Sequence, residues 1–485
     1  MNPKRKGILP RLSALVIAAV LVFVLISLPL SNFPTPGNGA ALEIKGQRAL
    51  AILAGALVLW IMEALPFHLT GLLAMLGLAL AGAGDYREII RDGFGDDVVL
   101  FFIGVLTLAS ALVRSGLGKR VSLFVLSLTG NSTRRILFGF LAAGAFLSMW
   151  ITALASSAIL MPLALAILTE EGTKPGQSNF GRALMLAVAW GALVGAVGTP
   201  AGSGSNPLVV KFMGSMAHVD ISFLTWMMLG IPILLLLLPA AWFVLVLFFP
   251  PEMRHLHKTR EAIAAECLRQ PPMNRDEKAA LVVFLLTVLI WIGAPIVEPF
   301  IHVKIPLSMG ALAGAILLFM PGVTSFKWKE IEKDIDWSGI ILIASGIALG
   351  MTLYKTGAAG WLSALILGGI GRLPLFMRLM AIVAGVLAVK IAFSSNTLTG
   401  TIIVPLVLAL APVLGDGAAG IALAAGFAAN LAFILVTTSP VNVIPYSTGY
   451  FSIRDMALAG LALAPFSAVA IALVFSLLGP LIRIF

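Results

Sequence analysis

The chain has 485 residues, 60% of them hydrophobic and 11% charged, with a mean hydropathy of +1.04. That composition excludes a water-soluble domain, and long helical runs without strand-like alternation exclude a β-barrel. The formal charge of +10 does not indicate nucleic acid, because most Lys and Arg residues lie in short connections between apolar runs, as the positive-inside rule requires.

The basic start MNPKRKGILPR leads into an apolar run reaching Leu30, too long for a secretory signal and without a small-residue cleavage site before SNFPTPGNG. It reads as a retained N-terminal helix within residues 1–35, its N-terminus cytoplasmic. Apolar segments then follow at 48–66, 69–83, 98–113, 136–169, 182–213, 222–249, 279–297, 305–320, 338–354, 376–414, 418–447 and 456–484. The runs 136–169 and 376–414 are too long for one crossing and carry polar residues at their middle, so each is read as a re-entrant hairpin.

The expected fold is therefore an all-α polytopic membrane protein with about 11 transmembrane helices plus two re-entrant hairpins. An odd number of crossings puts the C-terminus outside. The acidic loop DYREIIRDGFGDD then falls outside, whereas Arg114, Lys119, Arg120, Arg134 and Arg135 fall inside. The charged linker 250–278 also falls inside and divides the chain into a first unit, 40–249, and a second, 279–485. A lone cysteine, Cys267, lies in this linker, which excludes an internal disulfide and a cysteine-based metal site.

The two units resemble each other. SMWITALASSAILMPLALAI (148–167) aligns with IAFSSNTLTGTIIVPLVLAL (391–410) at an offset of 243, pairing Pro162 with Pro405, Thr152 with Ser395 and Ser156 with Thr399. AVGTPAG (196–202) aligns with VTTSPVN (436–442) at 240, placing Thr199 on Ser439 and Pro200 on Pro440, and ALVRSGLGKRV (111–121) aligns with TLYKTGAAGWL (352–362) at 241. An odd number of crossings between equivalents makes the repeats inverted, the layout of secondary transporters, with paired broken helices at 182–213 and 418–447. The hairpins enter from opposite faces, so their polar tips can meet near the midplane.

Four polar breaks carry the chemistry: Thr152 to Ser157, Gly198 to Asn206, Ser395 to Thr399, and Thr437 to Asn442. Helix starts with free N–H groups suit an anion, and free carbonyls at the opposite broken ends suit a small hard cation such as sodium. Any single Ser or Thr in a membrane helix can instead bond its own backbone or a neighbouring helix; four breaks at repeat-related positions argue for a site. Lys390 precedes Ser395 by five residues, about 7.5 Å along a helix. A charge at that depth calls for a function, against the blander reading of a lysine turned into a polar crevice.

Other polar residues read more simply. Glu63, beside Pro66 and His68, reads as an interfacial carboxylate, and Asp96 and Asp97 read as helix caps. His255 and His257 form a weak metal signal on a solvated linker, and GSGS at 202–205 lacks the lysine and strand of a phosphate loop.

With these motifs the sequence resembles the divalent anion/sodium symporters. The resemblance rests on LWIMEALPFHLTGLLA, FLSMWI, the GTP of the first broken helix, DWSGIILIASGIALG, the SSNT tip and SPVNVIPYSTGY, and covers nearly the whole chain beyond the first helix. It implies a homodimer held by a scaffold domain, and a transport domain of hairpins and broken helices that moves as an elevator. It also implies a Ser-Asn-Thr signature at each hairpin tip that contacts substrate carboxylates and helps build two sodium sites.

Carried over residue by residue, Ser395, Asn396 and Thr397 match the second signature, while Thr199, Pro200, Ser439 and Pro440 match the broken-helix positions that close the substrate site. Ser148, Gly198, Lys390, Asn396 and Thr438 fall at positions of cation binding or coupling. The first signature departs from the pattern: Thr152 keeps a hydroxyl, but Ala153 and Leu154 replace the amide and second hydroxyl, and the repeat partner of Ser148 is Ile391, where members commonly place a sodium-binding Thr. Both cation sites are altered, which implies exchange or proton linkage in place of strict sodium symport, with Lys390 supplying a resident positive charge.

The expected activity is secondary transport of small divalent organic anions, C4-dicarboxylates such as succinate, malate or fumarate, across the inner membrane. Cargo sodium is the one ion implied and no organic cofactor is expected. Sodium-coupled sulfate or tricarboxylate symport remains an alternative, as does a cation/proton antiporter of a related inverted-repeat fold, although no Asp or Glu lies in the hairpins or breaks. An enzyme would need a buried acid pair, a Ser/His constellation or a metal cluster, and the five histidines sit in loops or at span ends.

Overall fold

The computed structural model describes residues 8–28, 42–256, 270–367, 373–409, 417–482 and 484–485, and among these it is helical throughout. His257 and Cys267 of the linker, residues 410–414 of the second hairpin and residues 1–7 of the basic N-terminus lie outside the described residues.

The first unit runs α1 (Ile8–Ser27), α2 (Ile44–Ile61), α3 (Phe67–Leu80), α4 (Tyr86–Phe94), α5 (Asp97–Arg114), α6 (Leu117–Ser127), α7 (Thr133–Ser148), α8 (Ala153–Glu170), α9 (Asn179–Gly195), α10 (Ser205–Met216) and α11 (Phe223–Phe248). Beyond the linker come α12 (Arg275–Ile301), α13 (Leu307–Leu318), α14 (Trp328–Ile331), α15 (Trp337–Lys355) and α16 (Ala358–Leu367). The chain closes with α17 (Leu375–Lys390), α18 (Asn396–Leu408), α19 (Ala418–Ala428), α20 (Pro440–Tyr446) and α21 (Ile453–Leu478). Among the described residues eight helical segments are long and apolar enough to cross a bilayer, one of them running through the Gly95–Asp96 break between α4 and α5.

Local chemistry sets the boundaries. Asp96 starts α5 by accepting from the Val98 N–H at 3.0 Å, and the capping boxes Asn274/Glu277 and Ser452/Asp455 start α12 and α21. Gly116, with φ of 87°, makes the left-handed turn between α5 and α6.

Several expectations change in detail. The runs at 69–83 and 305–320 fold as α3 and α13, with 14 and 12 residues, about 21 and 18 Å long and short of a ~30 Å hydrocarbon core. The segments after Gly116 and Gly357, aligned in the sequence but not assigned to spans, fold as the short helices α6 and α16.

The first hairpin is α7 and α8 joined at residues 149–152. The chain enters and leaves it beside the beginning of the linker: at the start of α7 Thr133 N–H donates to the Arg254 carbonyl at 3.2 Å, and at the start of α9, the helix that follows α8, the Glu252 carboxylate accepts from the N–H groups of Asn179 and Phe180. A loop that leaves and returns beside the same segment is re-entrant, as expected. The second hairpin is α17 and α18 joined at 391–395, and Pro162 and Pro405 interrupt the second arm of each.

The buried centre is the first half of each broken helix. Every residue of α9 from Ala183 to Gly195 is buried, and α19 is buried from Gly420 to Ala428. Small residues permit this: a Cβ at Gly191 would lie 2.6 Å from the Leu141 carbonyl oxygen, so α7 and α9 meet backbone to backbone. By contrast α1 and α12 keep most of their apolar surface on the outside, where lipid covers it.

Candidate functional site

Four helix starts converge at the centre. Thr152 caps α8 by accepting from Ala155 N–H at 3.3 Å, and Ser395 caps α18 by accepting from Leu398 N–H at 3.3 Å. These equivalent bonds hold the expected offset of 243, 395 less 152, at the hairpin tips. Ser439 caps α20, accepting from Val441 N–H at 3.4 Å, and α10 begins at Ser205.

The broken helices share one brace. Asn206 Nδ2 donates to the carbonyls of Ala196 and Thr199 at 2.8 and 2.7 Å; Asn442 Nδ2 donates to those of Ala432 and Leu435 at 2.8 and 3.2 Å. All three residue pairs, 206/442, 196/432 and 199/435, differ by 236. The structural register of the breaks is therefore 236, not the 240 of the sequence alignment. Ser203, not Thr199, is the counterpart of Ser439, and Gly202 is the counterpart of Thr438.

This register changes the role open to the first break. Thr199 is fully buried and its hydroxyl donates to the Met149 carbonyl; Pro200 and Gly198 are buried with it. Thr199 thus ties the break to the first hairpin tip. Ser203 and Gly204, partly open, lie where the sequence alignment had placed Thr199 and Pro200.

The tips and breaks also cross-connect. Ser157 Oγ on α8 donates to the Val441 carbonyl at 3.2 Å, joining the first hairpin to the second break. The second tip meets the first break, since a Cβ on Gly204 would stand 2.7 Å from Thr397 Oγ1, and α18 lies against α10 where Gly400 faces Ser205. Asn430, in the second break, donates from Nδ2 to Asn206 Oδ1 at 2.7 Å, and its carbonyl accepts from Asn396 Nδ2 at 3.4 Å.

Around this junction several buried oxygens lack a partner: Asn396 Oδ1, Asn430 Oδ1, Asn442 Oδ1 and Ser205 Oγ. Unpartnered oxygens and helix starts together make a place for a small ion or a polar substrate. Ser395, Asn396 and Thr397 are partly open, as is Thr152; Ser439 is nearly closed, whereas its neighbours Thr437 and Pro440 are exposed. Ala153 and Leu154 bring no amide to the first tip.

Lys390 is the last residue of α17 and is only 2% exposed. Its Nζ donates to the Thr438 carbonyl at 3.1 Å, inside the second break. No described carboxylate lies within ion-pairing distance of it. At the hairpin offset of 243 its counterpart on α7 is the apolar Leu147; the next residue, Ser148, donates through its hydroxyl to the Ala192 carbonyl at 2.5 Å. Thr438, expected at a cation position, also bonds through its hydroxyl to Leu435 O at 2.6 Å.

Sequence reasoning singled out neither Asn430 nor Ser203 as a site residue. Asn430 is the only amide in the run AAGFAANLAFIL, a signal that was present in the sequence. Ser203 lies in GSGS within the polar break Gly198 to Asn206, but the sequence alignment puts the weight of that break on Thr199. Glu63 has a positive φ of 49° at the turn after α2, consistent with a helix end, and among the described residues no cluster of His, Cys, Asp or Glu could hold a metal ion.

Comparison with known proteins agrees with this architecture. The profile of the sodium:sulfate symporter transmembrane region matches residues 12–484, reaching into the first helix. A sodium-dependent dicarboxylate transporter, SdcS, of Staphylococcus saprophyticus is 31% identical over 458 residues, 90% of this chain and 87% of that protein. The SdcS of Staphylococcus aureus strain MRSA252 is 30% identical over 457 residues, again 90% of this chain and 87% of the relative. In fold, the YdaH transporter of Alcanivorax borkumensis, whose crystal structure has an unusual topology, superimposes with a TM-score of 0.52 at 15% identity over 98% of this chain and 97% of that one. A membrane transporter and not an enzyme, the chain belongs to the sodium:sulfate symporter family, the divalent anion/sodium symporters.

Proposed function

We propose that the protein carries small divalent organic anions, C4-dicarboxylates such as succinate, malate or fumarate, across the inner membrane as a homodimer with its N-terminus in the cytoplasm. The transport body consists of the two hairpins and two broken helices, α7–α10 and α17–α20, moving as an elevator against the remaining helices. The observation that carries the reading is the meeting of both tips and both breaks, tied by Asn430 to Asn206 at 2.7 Å and Ser157 to Val441 at 3.2 Å. The dicarboxylate relatives support the substrate class.

In this reading the starts of α8 and α18 face the two carboxylates. Each contributes unpaired N–H groups and about half a positive charge. Thr152, Ser395, Asn396 and Thr397 provide the polar contacts of the tips, with Ser203 and Ser439 those of the breaks. Thr199, Pro200 and Gly198 act behind them, and Pro440 sets the start of α20. Exchange does not require sodium, because the first tip has lost its amide.

A thermal-shift and counterflow panel tests this with succinate, malate, fumarate, citrate, 2-oxoglutarate and sulfate, each in sodium and in choline. Stabilisation and counterflow by a C4 acid in choline is expected; no response to any carboxylate would overturn the substrate class. The second reading, sodium-coupled sulfate or tricarboxylate symport, is favoured by the unpartnered Asn396 Oδ1, an oxygen free for a cation. It would appear in the same panel as a response confined to sodium and to sulfate or citrate.

A further inference from the structure

We propose that the ion pair between Lys211 and Asp96 is a latch: it holds the transport body against the scaffold in the position of this structure and makes departure from that position the slower half of the cycle. The inference rests on the elevator reading and deepens it.

Lys211 is the one charged residue of α10, the 12-residue second half of the first broken helix. It lies six residues, ~9 Å, beyond the helix start at Ser205. A lone cation on an apolar helix is costly unless it is paired. Its Nζ meets Asp96 Oδ2 at 2.6 Å. Asp96 belongs to the other body, where it starts α5; its side chain is 5% exposed, and its Oδ1 is held by the Val98 N–H at 3.0 Å. A carboxylate anchored as a cap cannot follow a moving helix. The flexible lysine stem follows small shifts of α10, but a larger one opens the pair and leaves Asp96 buried without its partner.

The surface around the pair offers little else to hold the two bodies together. The helix α15 turns glycines to the transport body: a Cβ on Gly346 would lie 2.7 Å from Thr401 Oγ1 on α18, and one on Gly350 would lie 2.9 Å from Phe212 Cζ on α10. Among the described residues, the one other polar contact from α10 or α18 to α4, α5 or α15 is the Tyr354 hydroxyl, which donates to the Met216 carbonyl at 3.1 Å. The charged contact therefore dominates the polar attachment of this surface.

The repeats differ at this point. Asp336 caps α15 by accepting from Gly339 N–H, as Asp96 caps α5, at an offset of 240, 336 less 96. By the register of 236 found at the breaks, the counterpart of Lys211 is Ser447, just beyond α20. Asp336 is exposed and no described cation lies within ion-pairing distance of it. Inverted repeats give an elevator two related end positions. The position seen here has a lysine to close the lock, whereas its counterpart has a serine.

Counterflow of radiolabelled succinate, with the full-length protein in proteoliposomes at saturating succinate, tests the latch. Lys211→Met should exchange faster than wild type by about fivefold, as should Asp96→Asn, which keeps the cap and removes the charge. The double variant should be no faster than either single one, because both break the same contact, and Lys211→Arg should stay within about twofold of wild type. A merely structural pair would slow exchange when broken. Wild-type or lower rates in both single variants overturn the latch; should one of them fail to fold, the other decides.

A cysteine pair separates this from failure of the elevator reading. With Cys267→Ser as background, Gly346→Cys and Thr401→Cys place a pair across α15 and α18, where a Cβ on Gly346 would lie 3.3 Å from Thr401 Cβ, near disulfide spacing. Oxidation should stop counterflow and reduction restore it. Counterflow that continues through the cross-linked protein overturns the elevator reading and the latch with it. A cross-link that stops exchange, together with unaccelerated Lys211→Met and Asp96→Asn, overturns the latch alone. Should the cysteine pair fail to fold or to cross-link, the counterflow rates of the Lys211 and Asp96 variants decide.

Discussion

Asn430 and Asn206 lie on different repeats, 224 residues apart, and their side-chain amides are joined by a 2.7 Å hydrogen bond at the point where both broken helices are interrupted. The bond passes between two nearly identical braces. Asn206 and Asn442 each close a loop of their own half by donating to carbonyls ten and seven residues back, and Asn430 then holds the first brace to the second break.

Replacement of Asn206 by Ala removes the donor for two buried carbonyls and the acceptor for Asn430. Each unmet buried group costs about 1–3 kcal/mol, so Asn206→Ala is expected to lower the thermal midpoint in detergent far more than Asn430→Ala, which loses the bridge but keeps both braces. Equal midpoints for the two variants would contradict this ordering. Asn442→Ala should fall between the two, because it loses a brace of the same kind but no bridge.

The register of 236 makes a separate prediction for transport. Ser203→Ala and Ser439→Ala should each raise the KM for a C4 acid by about tenfold, the loss of one hydrogen bond to a charged group. Thr199→Val should leave KM within about twofold and lower stability instead, because the Thr199 hydroxyl donates to Met149 in a fully buried position. Uptake kinetics on the three variants check this; a KM effect confined to Thr199→Val would restore the sequence alignment.

The comparison of those residues shows what the sequence could and could not reveal. The hairpins were legible because their length exceeds one crossing and because Thr152 and Ser395 interrupt apolar runs beside matching prolines. The breaks were legible as polar stretches, but their register was not. GTP and TSP look alike as letters, whereas the equivalence that matters is a hydrogen-bond spacing between an asparagine and carbonyls ten and seven residues earlier. Short helices such as α3 and α13 were read as full spans because hydropathy reports apolar content and not where a turn ends the helix. The depth of Lys390 was legible; its acceptor, the Thr438 carbonyl, is a backbone atom 48 residues away that no side-chain pattern marks.

Outside the membrane-spanning segments, Asp334 joins the turn before α15 to the end of α5. The Arg114 guanidinium, bonded to both its oxygens, holds the Asp334 carboxyl below its ordinary value; burial opposes this and the Ser110 hydroxyl, at 2.5 Å, adds to it. A carboxyl depressed in the folded state contributes stability that is fully present above its unfolded value of about 3.9 and lost as pH falls through the folded one. Asp334→Asn should therefore be less stable than wild type at pH 7, and the gap should close only below about pH 4. The side chain is 38% exposed, so solvent screening keeps the effect modest. Thermal melts of both proteins from pH 3 to 7 check this; a gap that widens on acidification would mean that the ion pair is not what Asp334 contributes.

Two glycines separate packing from helix propensity. A Cβ on Gly195 would overlap the backbone of Ala145, so Gly195→Ala must push α9 away from α7 at the most buried contact of the molecule. Overpacking of this kind costs about 1–3 kcal/mol, and here the obstacle is backbone, which cannot rotate aside. Gly385, in the middle of α17, has no atom within 4 Å of the same position, so Gly385→Ala should be neutral or stabilising by up to about 1 kcal/mol. Melting both variants in detergent distinguishes the cases. Gly195→Ala should also reduce transport, because α7 and α9 fix the tip at Thr152 relative to the break at Ser203; an unaffected midpoint would mean that the two helices have room to separate.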